Sequence, residues 1–133
     1  MSDDLLHVEL VAADRLVWSG EAKMVIARTT EGDVGILPHH APMLSLMVDG
    51  VVDVQTADGE TWVAAVDAGF LSVANNRISI LSEHAEMSHD IDLERARQDL
   101  ERAQQAGEDQ DEPAERAQRA WAEARIRAAE KAS

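Results

Sequence analysis

The sequence has no cysteine and no tyrosine, one phenylalanine, three prolines, and twelve basic residues against twenty-six acidic ones. The lack of cysteine excludes a disulfide framework, a thiolate nucleophile and cysteine metal ligands. The net charge of −14 repels phosphate backbones and anionic lipid, which disfavours nucleic-acid binding and direct membrane insertion. Apolar runs such as Val63–Val66 are far shorter than the roughly 20 residues that cross a bilayer. We therefore expect a soluble protein that folds in a reducing compartment.

Motifs of catalysis are also missing from the sequence. It contains neither the Gly-x-Ser-x-Gly turn that presents a nucleophilic serine nor a Gly-x-x-x-x-Gly-Lys-Ser/Thr phosphate loop. The acidic pairs Asp3-Asp4 and Asp111-Glu112 lie in polar segments, where carboxylates are usually solvated. These observations predict a protein that is not an enzyme.

Residues up to about 82 show the two-residue period of β-strands. The alternating or short apolar runs are Leu6–Val11, Met24–Arg28, Val52–Thr56, Trp62–Val66, Phe70–Val73 and Ile78–Leu81. The turn pairs between them are Ala13-Asp14, Ser19-Gly20, Asp49-Gly50, Asp58-Gly59 and Asn75-Asn76. Short strands at this spacing predict a β-sandwich or barrel.

After His89 the period changes to that of helices. The apolar positions are spaced three and four apart, in the series Leu93, Ala96, Leu100, Ala103, Gly107 and then Ala114, Ala117, Trp121, Ala124, Ala128. Asp92 is the expected N-cap of the first helix, Gly107 its C′ residue, and Pro113 lies near the start of the second. The short connection predicts two antiparallel helices.

Alanine fills most of the apolar stripe on both predicted helices. Its small apolar surface makes docking through the stripe weak, whereas its high helix propensity keeps the helices formed. A detachable hairpin and an ordinary docked hairpin with close alanine packing both fit this pattern. Opposite charges one turn apart predict the ion pairs Arg95 with Asp99, Glu115 with Arg119, and Glu123 with Arg127.

The segment 31–42 has two glycines, two prolines and adjacent histidines, which predict a backbone of fixed and unusual shape. Its residues, Glu-Gly-Asp-Val-Gly-Ile-Leu-Pro-His-His-Ala-Pro, resemble the Glu-Gly-x-x-Gly-Ile-Leu-Pro-Gly-His-x-Pro signature of the epsilon subunit of bacterial F-type ATP synthases. Ala68–Val73 is similar to the family's Gly-Gly-Phe-Leu-x-Val, Ser79–Leu81 with Ala85-Glu86 also fits, and Ile91–Ala96 matches the start of its C-terminal hairpin. The similarity runs in order through nearly the whole chain.

This resemblance implies an α+β protein: an N-terminal antiparallel β-sandwich of about ten strands at 1–87 and a C-terminal antiparallel two-helix hairpin at 88–133. It implies a non-catalytic subunit of the ATP synthase central stalk that binds the gamma subunit and the polar loops of the c-ring. The hairpin is expected to restrain ATP hydrolysis by extending toward the alpha/beta catalytic head. The implied location is the cytoplasmic face of the bacterial plasma membrane, as a peripheral protein.

The resemblance also carries site residues onto this sequence. Glu31, Asp33 and His40 fall in the loop expected to face the c-ring and gamma. No cofactor is required, but ATP is a possible weak regulatory ligand of the hairpin. The positions that match the family's nucleotide motif and its surroundings are Glu86, Asp92, Arg95, Ala96, Arg102 and Arg125. Arg95 and Arg102, seven residues apart, are expected to share one side of their helix and to meet polyphosphate.

Two residues depart from the family pattern. His39 replaces a glycine, and Trp121 stands where nucleotide-binding members tend to have an arginine, so it is expected to pack against Leu100 or the sandwich instead. Two other functions fit parts of the sequence. One is a metal-dependent β-sandwich enzyme of the cupin kind that uses His39 and His40, although adjacent strand residues point to opposite faces. The other is a free-standing adaptor that binds a partner helix.

Overall fold

The computed structural model describes residues 4–105 and 113–132. The strands are β1 (Leu6–Ala12), β2 (Arg15–Thr29), β3 (Gly32–Ile36), β4 (Met43–Met47), β5 (Gly50–Thr56), β6 (Thr61–Val66), β7 (Gly69–Ala74), β8 (Arg77–Ser82) and β9 (Ala85–Met87). A 3₁₀ turn (Ser88–Asp90) leads to α1 (Leu93–Gln105) and α2 (Pro113–Ala132). Neither of these two helices is long and apolar enough to cross a membrane. The predicted Gly107 cap and the Glu115–Arg119 pair lie outside the described residues and side chains.

The nine strands form a two-layered sandwich, joined through the long strand β2. Its first half pairs with β1, and its second half pairs with β3 on one side and β5 on the other. One layer therefore continues from β1 through β8 and β7 to β4, and the other from β5 through β6 to β9. All pairings are antiparallel except the parallel pair β1–β8. The fold class predicted from the sequence is confirmed.

The alternation predicted for the first strand and for several others is confirmed. Leu6, Val8 and Leu10 are buried between the layers, together with Leu71 and Ile80. The turn residues also behave as expected: Asn75 and Asn76 have φ of 53° and 61°, and Gly59 has φ of 90°. These left-handed conformations suit tight hairpins, because asparagine and glycine tolerate them best.

Two predictions about β2 are wrong. The alternation that the sequence predicts for the run Met24–Arg28, continuing that of the first strand, puts Met24, Ile26 and Arg28 on the inner face. The buried side chains are instead Val25, Ala27 and Thr29, because the pairing with β5 shifts register between Ala22 and Met24. The Ser19-Gly20 pair is not a turn, since β2 runs straight through it. Gly20 instead leaves room for an aromatic ring: a Cβ there would lie 2.8 Å from the Trp18 side chain.

The helical hairpin covers the outer face of the layer formed by β5 and β6. The methyl groups of Ala124 and Ala128 pack against Val63 and Ala65 of β6, which is why both faces of that strand are buried. Helix α1 packs against α2. The predicted stripe on α2 thus faces the sandwich, and Ala122, which was outside that stripe, is also buried. The domain boundary at residues 87 and 88 stays a prediction.

Candidate functional site

The three residues expected to share one loop lie at two ends of β3. Glu31 is in the turn before this strand and Asp33 is its second residue, and both are exposed. His40 lies in the next loop, four residues beyond the end of the strand at Ile36. Five residues of extended strand span about 16 Å. The strand β3 therefore separates His40 from Glu31 along the chain, and the expectation that the three residues share one contact surface stays a prediction.

His39 adopts the left-handed conformation that a glycine would adopt most easily, with φ of 70°. Its backbone N–H donates to Asn76 Oδ1 at 2.6 Å, and its Nε2 lies 2.6 Å from Asp4 Oδ2. The histidine thus occupies a backbone conformation that glycine adopts at lower cost. Within residues 4–105 and 113–132, no three His, Asp or Glu side chains come close enough to hold a metal ion.

The residues predicted for nucleotide binding divide into two groups. In the first, Asp92 Oδ1 accepts a hydrogen bond from the Arg95 backbone N–H at 3.1 Å, which confirms Asp92 as the N-cap of α1. Arg95 is exposed, and Ala96 is fully buried. These three residues shape the start of α1.

The second group gathers around Asp99. Arg125 Nη1 donates to Asp99 Oδ2 at 3.2 Å, and Arg125 Nε lies 2.8 Å from Glu86 Oε1 in an ion-pair contact. Arg102 Nη1 lies 3.6 Å from the other oxygen of Asp99. We call Glu86, Asp99, Arg102 and Arg125 the ionic quartet. Its four formal charges sum to zero, so Arg125 is already balanced by carboxylates of this chain.

Asp99 was assigned to Arg95 from the sequence, and this prediction is wrong. The carboxylate faces α2, where Arg125 competes successfully because its guanidinium is shielded from water. The expected pair of Glu123 with Arg127 is wrong for a similar local reason, since Glu123 Oε1 lies 4.0 Å from Arg119 Nε one turn earlier. Helical spacing alone allowed either partner in both cases.

A cavity of about 410 Å³ lies between the two helices beside the quartet. Its lining residues are Asp99, Arg102, Ala103, Gln118, Trp121, Ala122 and Arg125. Arg95 does not line this cavity, whereas Arg102 and Arg125 do. The expectation that Arg95 and Arg102 meet one polyphosphate stays a prediction.

Trp121 packs against the sandwich, which is one of the two alternatives expected from the sequence. Its ring centroid lies 5.6 Å from that of His84, and it contacts the cluster of Val63 and Ala65. His84 in turn is held by Asp67, whose Oδ2 lies 2.7 Å from His84 Nδ1. The tryptophan therefore anchors α2 on the loop that precedes β9.

Asp49 lies in a second cavity, between this loop region and α2, near Asp67. Burial raises the pKa of Asp49 and outweighs the opposing hydrogen bond that Ala68 N–H donates to Asp49 Oδ1 at 3.0 Å. The negative charge of Asp67 raises this pKa further. A deprotonated Asp49 therefore weakens the folded state near neutral pH.

The opposite face of the sandwich carries a feature that the sequence analysis missed. Leu46 pairs with Phe70, Phe70 with Leu81, Leu81 with Val11, and Val11 with Leu16, in adjacent strands. These side chains point outward, and we call the five residues the apolar row. Four of them are large hydrophobic residues that remain about half exposed. The signal in the sequence was the apolar residues at outward positions of otherwise alternating strands.

Comparison with known proteins agrees with this architecture. A model of the ATP synthase delta/epsilon chain beta-sandwich domain matches residues 5–88. The ATP synthase epsilon chain of Streptomyces avermitilis is 56% identical over 103 residues, which cover 77% of this chain and 83% of that protein. The epsilon chain of Rhodococcus opacus is 52% identical over 93 residues, covering 69% and 76% respectively.

A solved structure shares the fold at lower identity. It is the Euglena gracilis mitochondrial ATP synthase OSCP/F1/c-ring assembly, one chain of which aligns with a TM-score of 0.71 and 21% identity. The alignment covers 98% of this chain and 80% of that chain, so it includes the hairpin as well as the sandwich. Taken with the sequence relatives, these matches show that this chain belongs to the family of ATP synthase epsilon chains.

Proposed function

We propose that this chain is a non-catalytic subunit of the ATP synthase central stalk, which binds the gamma subunit through the apolar row. The single observation that carries this proposal is the row itself, which runs across five strands on the face opposite the hairpin. Exposed apolar patches of this kind mark protein interfaces. On a chain of net charge −14, such a row needs an apolar partner surface.

The loops flanking β3 extend this proposal to the c-ring. Glu31 and Asp33 are exposed at one end of the strand and suit the polar loops of the ring. His40 lies at the other end, three residues before β4, which carries Leu46 of the apolar row. We therefore assign the two acids to the c-ring contact and His40 to the edge of the gamma contact. The chain would then sit at the cytoplasmic face of the bacterial plasma membrane as a peripheral component.

Binding of the full chain to the purified gamma subunit tests the docking surface. Isothermal titration calorimetry should show a negative heat-capacity change, because apolar burial has that signature. The proposal would be refuted if the chain failed to bind gamma both when gamma is free and when gamma is assembled with the catalytic head.

The hairpin is the proposed regulatory element, which restrains ATP hydrolysis when it extends toward the alpha/beta head. On the side of α2, the apolar contact with the sandwich is made by the methyl groups of Ala124 and Ala128 and by the ring of Trp121. This contact is small enough for docked and extended states to exchange. Deleting residues 88–133 should raise ATP hydrolysis by the assembled enzyme. Unchanged hydrolysis would show that the hairpin does not restrain the enzyme.

ATP is the proposed weak ligand of the cavity between the helices, and no cofactor is needed. Arg102 is the cation best placed to meet a phosphate, since Arg125 is already paired with two carboxylates. Titration with ATP, followed by Trp121 fluorescence in a W18F/W62F background, should show saturation only at high concentration. Arg102→Gln should abolish the signal, whereas the same signal in this variant would refute the site.

A further inference from the structure

Arg125 joins three separate elements of the fold. It projects from α2 and contacts Glu86 in β9 and Asp99 in α1, at 2.8 Å and 3.2 Å. Its side chain is only 12% exposed, whereas the carboxylates are 26% and 33% exposed. Charge pairs that are largely shielded from water are stronger than surface pairs, and loss of one partner leaves the others uncompensated.

The position of α1 makes this junction important. Helix α1 packs mainly against α2, and α2 is the helix that packs on β5 and β6. The guanidinium of Arg125 connects α1 through α2 to β9, and a more exposed pair, Arg97 Nη2 with Glu130 Oε2 at 3.3 Å, also joins the two helices. At the far end of α2, Lys131 Nζ lies 2.5 Å from Asp53 Oδ2 in β5. The apolar contacts of α2 with the sandwich are made by Trp121 and by the small side chains of Ala124 and Ala128.

We propose that Arg125 is an internal latch, which holds both helices of the hairpin on the sandwich without any bound ligand. Release of the hairpin from the sandwich breaks the pair with Glu86, and separation of the two helices breaks the pair with Asp99. Asp99 thereby does in this chain what an anionic ligand would do, because it supplies negative charge to the buried guanidinium. The inference rests on the proposed function in one respect: the released hairpin is the form that restrains ATP hydrolysis in that proposal.

Distance measurements on the full chain test the latch. Because the chain has no cysteine, cysteines introduced at exposed Asp14 and Gln98 carry the only spin labels, one on the sandwich and one on α1. Arg125→Gln should raise the released fraction of hairpins at least about ten-fold over wild type. The matched control is Arg127→Gln, which removes the same charge from an exposed residue two positions away and should leave the distance unchanged.

Single-partner variants separate the latch from general loss of stability, whereas salt does not, because ion pairs shielded from water are screened only weakly. Asp99→Asn should release α1 while a second label pair, at Asp14 and Gln118, reports α2 still docked. Glu86→Gln should release both helices. Strand amide NMR signals verify that the sandwich stays folded. If Arg125→Gln does not fold, the released fractions measured in Asp99→Asn and Glu86→Gln test the latch instead.

Equal released fractions in Arg125→Gln and Arg127→Gln would overturn the latch, as would carboxylate variants that behave like wild type. None of these measurements uses the rotor. Loss of the latch would therefore leave the proposed docking to gamma intact, and a chain that failed to bind gamma would leave the latch intact.

Discussion

Truncation of Phe70 is the sharpest test of the apolar row. Phe70 lies in the middle of the row, between Leu46 and Leu81, and is 49% exposed. A phenylalanine side chain has about 200 Å² of surface, so about 100 Å² is available to a partner. At ~25 cal/mol per Å², burying it contributes about 2.5 kcal/mol, and Phe70→Ala should lose about 2 kcal/mol of this. That loss corresponds to roughly 30-fold weaker binding to gamma.

The assay is calorimetric titration of the gamma subunit with wild type, Phe70→Ala and Leu37→Ala. Leu37 is 56% exposed but lies in the loop after β3, outside the row, so its truncation should change the affinity less than about 3-fold. Urea unfolding of each variant shows whether the sandwich itself is altered. Wild-type affinity in Phe70→Ala, or an equal loss in Leu37→Ala, would refute the assignment of this face to gamma.

Three further predictions concern stability. Gly69→Ala should lower the free energy of unfolding by about 2–3 kcal/mol in urea titrations, because the new Cβ would lie 1.9 Å from the backbone oxygen of Leu81. The control Gly35→Ala, whose Cβ would enter open space, should change the free energy of unfolding by under about 1 kcal/mol. Asp49→Asn should stabilise the chain near neutral pH, because the raised pKa of Asp49 means that the folded state prefers the protonated acid. The stability that the protonated Asp49 contributes is complete below the ordinary pKa of 3.8 and is lost as pH rises through the folded pKa. Unfolding curves of this variant and wild type should converge below about pH 3, and a constant difference would contradict the assignment. Asn76→Ala should cost about 1–2 kcal/mol, since alanine is strained at φ of 61° and loses the acceptor for His39 N–H; thermal unfolding equal to wild type would contradict this reasoning.

Local patterns predicted much of the fold correctly. Alternation and short apolar runs identified six of the nine described strands but not β3, β4 or β9. Asn75-Asn76 and Asp58-Gly59 identified hairpin turns, and Asp92 identified the start of α1. Each of these depends on residues close in sequence, for which side-chain period, φ preference and capping chemistry are sufficient. The error at Ser19-Gly20 shows the limit of that reasoning. A glycine beside a tryptophan ring and a glycine in a turn look alike in sequence.

The sites depend on residues far apart along the chain. Glu86 is 39 residues from Arg125, and Asp99 is 26 residues from it, so the antiparallel packing of α1, α2 and β9 had to be known before these partners could be named. The apolar row likewise exists only because β1, β2, β4, β7 and β8 pair in one particular register. The sequence alone determined six of the nine described strands, the helices and the family resemblance, since these follow from local period and motif. Only the tertiary structure decided which charges meet and which apolar side chains stay exposed, because burial and pairing are set by the packing of distant elements.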